Sequence, residues 1–342
     1  MNRRDFLSAG IAAGISLAPS LVSANPARKP KVVRAANDRF EFILPKQPRL
    51  RILQIADTHF GTPEDEYRAK DKHSFTLIRE MIETHKPDYI FHTGDFVNND
   101  NENVEWNAIP FMNSLGTPWS LCFGNHDHYD GGPGQKPFQE YYAAIKGCIM
   151  GYSERVGGAR DYCYPVDFRV EKEKPFASIL AFNTGTHNTG MKVNDTQTQW
   201  FLSQMEADKS ASVKTPLLVM QHVPTIEYKD VYDKKLAIGR QGEGVCFEQD
   251  KGEIFSHYAE SGRVRAIFCG HDHKNDYIGE VRKVKLVYGR CSGYGGYGDW
   301  ERGARIIEMD TATGQGKSRV VLGKSEKEKP EWRKTLTESE LS

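Results

Sequence analysis

The 342-residue sequence predicts a layered α/β fold containing a sheet-on-sheet sandwich flanked by helices. Three observations carry this expectation. In the first half, short apolar runs alternate with amphipathic stretches, the pattern of strands covered by helices. In the second half the strand-like runs crowd together, which suggests a second sheet packed against the first. Between Phe40 and Gly323 no stretch reads as a linker, so one domain holds both parts. The length suffices for one large domain or for two small ones.

Leu50–Ala56 reads as a buried strand because its residues are almost continuously apolar. Across His73–His85, Phe75, Ile78, Met81 and Ile82 fall on one helical face. Tyr89–His92 is a second strand. Val104–Leu115 reads as a helix stopped by Gly116. Trp119–Phe123 is a third strand. Residues 130–165 are rich in breakers, with Gly131-Gly132-Pro133-Gly134 at their start and a short helix expected over Phe138–Lys146. Strands follow at Tyr162–Phe168 and Phe176–Phe182. Thr196 and Gln199 have the spacing of a capping box, opening a helix that carries Trp200, Phe201 and Met205. The later strands are Leu217–Gln221, Ala266–Cys269, Lys285–Tyr288 and Arg305–Met309.

The two ends differ in character from this body. Arg3 and Arg4 precede Phe6 and Leu7, an apolar small-residue stretch runs to Val22, and Val22-Ser23-Ala24 offers a cleavage site. The paired arginines resemble a twin-arginine signal, so residues 1–24 are expected to engage that export machinery and to be removed near Ala24 in a periplasmic or secreted product. Residues 25–37, rich in Pro, Lys and Arg, read as a linker, and 324–342 as a charged, loosely attached tail; the catalytic body is 38–323. Past the leader no apolar run is long enough to anchor the chain in a bilayer. Lys and Arg total 46 and Asp and Glu total 46, so no basic excess points to nucleic acid. Of the six cysteines, Cys122 and Cys269 fall inside strands as small buried hydrophobes. Cys148 and Cys163, flanking a Gly-rich loop, are the best placed for a disulfide.

Five polar clusters each follow a strand: Asp57-Thr58-His59, Gly94-Asp95, Gly124-Asn125-His126-Asp127, Gln221-His222 and Gly270-His271-Asp272-His273. In layered α/β folds ligands gather at the carboxyl ends of strands, so all five should converge on one rim. Asp57 and His59 are two apart, as are His271 and His273, and an extended backbone would turn each pair the same way. The donor atoms are carboxylate, amide and imidazole with no thiolate, a set suited to Mn, Fe or Zn. Taken singly, each cluster is weak, since a lone His is more often a satisfied core residue. The ordered set is not weak: Gly-Asn-His-Asp alone should arise by chance about once in a thousand chains of this length at ordinary residue usage.

With these strings (DTH, GDFVNN, GNHD, the lone His of QHVP, and GHDH, in that order from Leu50 to about Gly293) the sequence resembles the calcineurin-like metallophosphoesterase superfamily. GHDHKNDYIG and YGRCSGYGGYG make it most similar to the branch of purple-acid-phosphatase-like proteins. The resemblance implies a four-layer α/β/β/α sandwich with mixed sheets and flanking helices, and two adjacent divalent metal ions. Asp57, His59, Asp95 and His273 would hold the first ion. Asp95, Asn125, His222 and His271 would hold the second, making Asp95 the bridge. His126 would face the phosphate or leaving group, with Asp127 accepting a ring N–H to orient it. Purple acid phosphatases place a metal-binding Tyr three residues after the bridging Asp; here that position is Asn98, and a His stands at 59 where those enzymes have Gly. No tyrosinate ligand and no need for ferric iron are therefore expected.

Two such ions about 3.5–4 Å apart would acidify a shared water into the attacking hydroxide. His126 would protonate the leaving oxygen. The expected substrate is a small phosphate monoester, with a phosphodiesterase or nucleotide hydrolase as the alternative, and a non-catalytic metal-binding module as the reading from another class. His187, after a strand, and the loop aromatics Tyr294 and Tyr297 are candidates for contacting substrate. His128 reads as a solvated loop residue and His92 as core.

Overall fold

The computed structural model describes residues 29–35, 39–61, 65–98, 108–127, 163–185, 190–247, 249, 251–324, 326 and 339–340. The export leader, the helix expected over 138–146, His128, His187 and Cys148 lie outside the described residues. Cys163, the other half of the expected disulfide, is buried on its strand.

Two mixed sheets form the body. Eight strands make one: β1 (Lys31–Arg34), β2 (Phe40–Leu44), β6 (Cys163–Val170), β7 (Ala177–Phe182), β8 (Leu217–Met220), β9 (Val264–Cys269), β11 (Val284–Tyr288) and β10 (Ile278–Val281), in that spatial order. Six make the other: β14 (Ser339–Glu340), β13 (Gly316–Leu322), β12 (Gly303–Asp310), β3 (Arg49–Ile55), β4 (Tyr89–His92) and β5 (Trp119–Leu121). Helices α1 (Asp65–His85), α2 (Ile109–Ser114), α3 (Asp195–Ser210), α4 (Ile226–Asp233) and α5 (Glu253–Glu260) flank them.

The layering is written in the two-residue period of the strands. On β7, Ala177, Ile179 and Ala181 join the large core shared with the six-stranded sheet, while Leu180 and Phe182 turn outward. On β8, Leu218 and Met220 face inward and Leu217 and Val219 outward. The outward set meets Phe201 of α3, Tyr228 and Val231 of α4, and Ile254, Phe255 and Tyr258 of α5. Leu77, Ile78 and Met81 of α1 and Phe111 and Met112 of α2 pack into the large core with β3 and β4. Strands buried on both faces need near-continuous apolar sequence, which is why these runs were conspicuous.

Several expectations need correction. Residues 31–34, read as linker, form β1 and pair antiparallel with β2. Inside the expected tail, β14 pairs with β13. The α3 box is set two residues earlier than Thr196: the Asn194 side chain accepts the Gln197 N–H at 3.0 Å, and the Gln197 side chain accepts the Asn194 N–H at 2.9 Å. Asn is the better cap acceptor, and its own backbone is extended as a cap requires. Among the described residues, no helix is long and apolar enough to cross a membrane.

Candidate metal centre

The parallel strands β3, β4 and β5 end in the loops bearing Asp57, Asp95 and Asn125; β8 and β9, parallel in the other sheet, end in those bearing His222 and His271. The carboxyl ends of both sheets thus open on one rim. The first two loops are zipped together, because Asp57 N–H donates to Gly94 O, His59 N–H to Asp95 O and Phe60 N–H to Phe96 O. Gly270 N–H donates to His222 O, and His271 N–H donates to the Asp57 carboxylate at 2.9 Å, which ties the two sheets at the rim.

Ligating atoms of Asp57, His59, Asp95 and His273 lie within 4.8 Å of one another, as do those of Asp95, His222 and His271. Asp95 belongs to both groups. Its Oδ2 is 3.2 Å from His222 Nε2 and 3.6 Å from His59 Nε2. His273 Nε2 lies 3.1 Å from His59 Nε2 and 3.6 Å from Asp57 Oδ1. Asn125 precedes His126, whose N–H donates to Asp95 Oδ1 at 3.0 Å, and its own Oδ1 is a buried acceptor without a partner.

The pairs two residues apart converge for a different reason than extended backbone. Asp57, His59, Asp95 and His271 all have left-handed φ, at 55°, 46°, 51° and 77°. Each such residue costs of the order of 1–3 kcal/mol, strain that persists where a site demands it. The preceding glycines make room as well as turns. Gly94 has φ +88°, and a Cβ there would lie 2.6 Å from His222 Nδ1; a Cβ on Gly124 would overlap Asp95 Oδ1.

The electrostatics fit a cation pair. Burial holds His59 well below the usual range, His271 at about 3 and His273 at about 4, so these rings are neutral and keep a lone pair. Burial outweighs the pull of the nearby His222 and pushes the Asp57 carboxyl up to about 8. Burial also opposes charge on His222, but the adjacent Asp95 carboxylate outweighs it and raises the ring to about 9. Neutral imidazoles facing each other, an orphaned amide oxygen and a carboxyl that burial keeps from ionising are what a divalent pair would satisfy, and no thiolate competes.

Not every predicted role holds. Asp127 does not orient His126: its two oxygens accept Val97 N–H at 2.9 Å and Gly124 N–H at 2.8 Å, while His126 Nδ1 has no partner. Two backbone donors hold the two oxygens of this buried carboxyl, so Asp127 braces the loops bearing Asp95 and Asn125. The His126 ring stands edge-on to His59, centroids 4.8 Å apart. Tyr294 packs its ring beside His73 of α1, and its hydroxyl hydrogen-bonds Glu326. Tyr297 does sit at the cluster, stacked on His273 with centroids 3.9 Å apart and 53 % exposed.

His92, read as core, does more than fill space. Its Nδ1 accepts the Gly94 N–H at 3.2 Å, so Nε2 carries the proton and donates to Thr58 Oγ1 at 2.9 Å. Burial pushes it down to about 3, which keeps that tautomer neutral. It therefore joins the loops of Asp57 and Asp95. Its position at the end of β4, two residues before Gly94-Asp95, is the signal that the sequence offers.

A family model described as calcineurin-like phosphoesterase matches residues 50–275. "Probable inactive purple acid phosphatase 28" of Arabidopsis thaliana is 28 % identical over 306 residues, covering 78 % of this chain and 76 % of that protein. "Phosphatase DCR2" of Saccharomyces cerevisiae is 26 % identical over 300 residues, covering 77 % of this chain and 52 % of that protein. Among solved structures, a dimetal phosphatase from Danio rerio shares the fold with a TM-score of 0.56 at 11 % identity, over 86 % of this chain and 99 % of that one. The motif order, the two-sheet body and the match across most of the described chain lead to one conclusion: this protein belongs to the calcineurin-like phosphoesterase family.

Proposed function

We propose that the protein is a metal-dependent phosphomonoesterase. The observation that carries this reading is the pair of Asp/His groups sharing Asp95, with His126 at their edge. Asp57, His59, Asp95 and His273 would hold one divalent ion, and Asp95, Asn125, His222 and His271 the other. When bound, such a pair supplies an activated water and positive charge for the phosphoryl oxygens. Only two carboxylates, Asp57 and Asp95, belong to the set, so four metal charges remain partly uncompensated and favour an anionic ester. His126, whose main-chain N–H is on Asp95, would present its ring to the leaving oxygen and give it a proton. Asp127 and His92 would hold the ligand loops in place through backbone hydrogen bonds. Tyr297 would line the mouth beside His273. The arginine-led leader would take the protein to the periplasm or outside the cell, which fractionation of an expressed full-length chain would check.

The test pairs metal analysis with hydrolysis of a mono-aryl and a bis-aryl phosphate. Cleavage of the monoester by a two-metal protein is expected; faster cleavage of the diester would shift the reading to a phosphodiesterase. A second reading, a non-catalytic metal-binding protein, is favoured by the plant relative's name, which calls it inactive. Failure to cleave either ester with both metals bound would establish it.

A further inference from the structure

The hydrogen bonding around His273 assigns a role to Arg302, which lies beyond the family-matched residues 50–275. Arg302 is 2 % exposed, and among the described residues no carboxylate lies within ion-pairing distance of it. Burying a guanidinium without a counter-ion is costly and calls for an explanation. Its Nη2 donates to two main-chain oxygens, Tyr297 O at 3.0 Å and Gly298 O at 2.8 Å. The same Tyr297 oxygen lies 3.0 Å from His273 Nδ1. A carbonyl oxygen only accepts, so His273 Nδ1 carries the proton. The Nε2 lone pair is then the one left to face His59 Nε2 and Asp57.

The rest of the loop closes on the same ring. Tyr297 stacks on one face, at an interplanar angle of 13°. Its hydroxyl donates to Glu243 Oε2 at 2.9 Å, and Glu243 Oε1 accepts the Lys274 N–H at 2.7 Å, so the tyrosine is held from both ends. At Gly296 a Cβ would overlap His273 Cε1 and lie 2.8 Å from His59 Cδ2, so the backbone itself packs on both rings.

We infer that Arg302 is a positioning residue for the first metal site, pinning the Tyr297 carbonyl so that His273 is fixed as its Nδ1–H tautomer with Nε2 turned to the ion. This rests on the reading of Asp57, His59, Asp95 and His273 as metal ligands. Ligand-orienting partners of this kind are worth roughly 10–100-fold in metal affinity. Arg302 is suited to it because a planar guanidinium holds two adjacent carbonyls in a fixed geometry, which a lysine ammonium does not.

The test is a titration of the chelator-treated full chain with Co(II), followed by its visible bands, for the wild type, Arg302→Met and Arg302→Lys. The wild type should bind two ions. Arg302→Met should bind the one held by Asp57, His59, Asp95 and His273 roughly 10–100-fold more weakly, leave the other site's affinity unchanged, and be partly rescued in Arg302→Lys. Equal affinity of Arg302→Met and wild type at both sites overturns the inference, as does equal weakening of both sites. A wild type that takes up no ion removes the ligand assignment instead, a different failure. Should Arg302→Met not fold, ¹⁵N-histidine spectra of the metal-free wild type decide, with His273 identified by its loss in His273→Gln. An Nδ1–H ring is the expected result, and an Nε2–H ring rejects the inference.

Discussion

His126 stands with its main-chain N–H on Asp95 and its ring edge-on to His59, and it enters neither of the two Asp/His groups. His126→Ala should therefore leave two metals per chain while slowing hydrolysis of esters with poor leaving groups by roughly 10²-fold or more. Unchanged turnover of an alkyl phosphate would rule out the acid role. Asp127 behaves differently because both of its oxygens accept backbone N–H groups. An asparagine has one acceptor oxygen and sets an NH₂ against the other backbone donor. Asp127→Asn should lower the unfolding free energy by about 1–3 kcal/mol and cut metal content, without removing a limb of the pH–rate profile. A pH dependence of folding is written at Asp71 on α1, whose carboxylate accepts the Gly61 N–H just after the first ligand loop. Burial raises its pKa to about 6, so the folded state prefers it protonated. Its stabilising contribution is complete below the unfolded pKa of about 3.9 and is lost as pH rises through about 6. Asp71→Asn is neutral throughout. Its stability relative to wild type should climb between pH 4 and pH 7 by roughly 2 kcal/mol, measured by denaturant unfolding at each pH.

Whole elements place the ligands, and the tightest constraint is the approach of loop to loop. A Cβ on Gly124 would overlap Asp95 Oδ1 and come within 2.6 Å of His222 Cδ2. Gly124→Ala must push the Asp95 carboxylate aside and, on the proposed two-metal reading, should lose at least one metal per chain by elemental analysis. Asn194→Ala gives the contrast: it removes the acceptor of the α3 capping box, should cost about 1 kcal/mol in thermal unfolding, and should leave metal content untouched. The strands that precede the candidate ligands were legible because each is a largely apolar run ended by a polar cluster, and β3, β4, β5, β8 and β9 all fit that description. β1 was not, since Lys31 and Arg34 bracket only two valines, and charge on an edge strand looks like a linker until its partner is known. The left-handed φ of Asp57 and His59 and the double acceptance by Asp127 depend on contacts over long stretches of chain, which spacing along the sequence does not carry. Arg302 was invisible for the same reason, being 29 residues from the histidine it serves.

At the scale of the whole molecule the candidate ligands divide between the sheets: Asp57, His59, Asp95 and Asn125 follow strands of the six-stranded sheet, and His222, His271 and His273 follow strands of the eight-stranded one. Metal ions there would staple the two inner layers at the rim where their strands end. Without them the rim retains only weaker ties, such as His271 N–H on Asp57 and the close approach of His222 to Asp95. Binding to the folded state alone stabilises by about 3–4 kcal/mol when free metal exceeds Kd by roughly a hundred- to a thousandfold. Chelation should therefore lower the unfolding midpoint, and both sheets should unfold together because they share one core. Asp57→Ala removes a carboxylate from one sheet and His222→Ala an imidazole from the other. Each should shrink the metal-dependent shift in calorimetry, even though the two residues follow strands of different sheets. A shift that survives undiminished in either variant would mean that the ions do not bridge the layers.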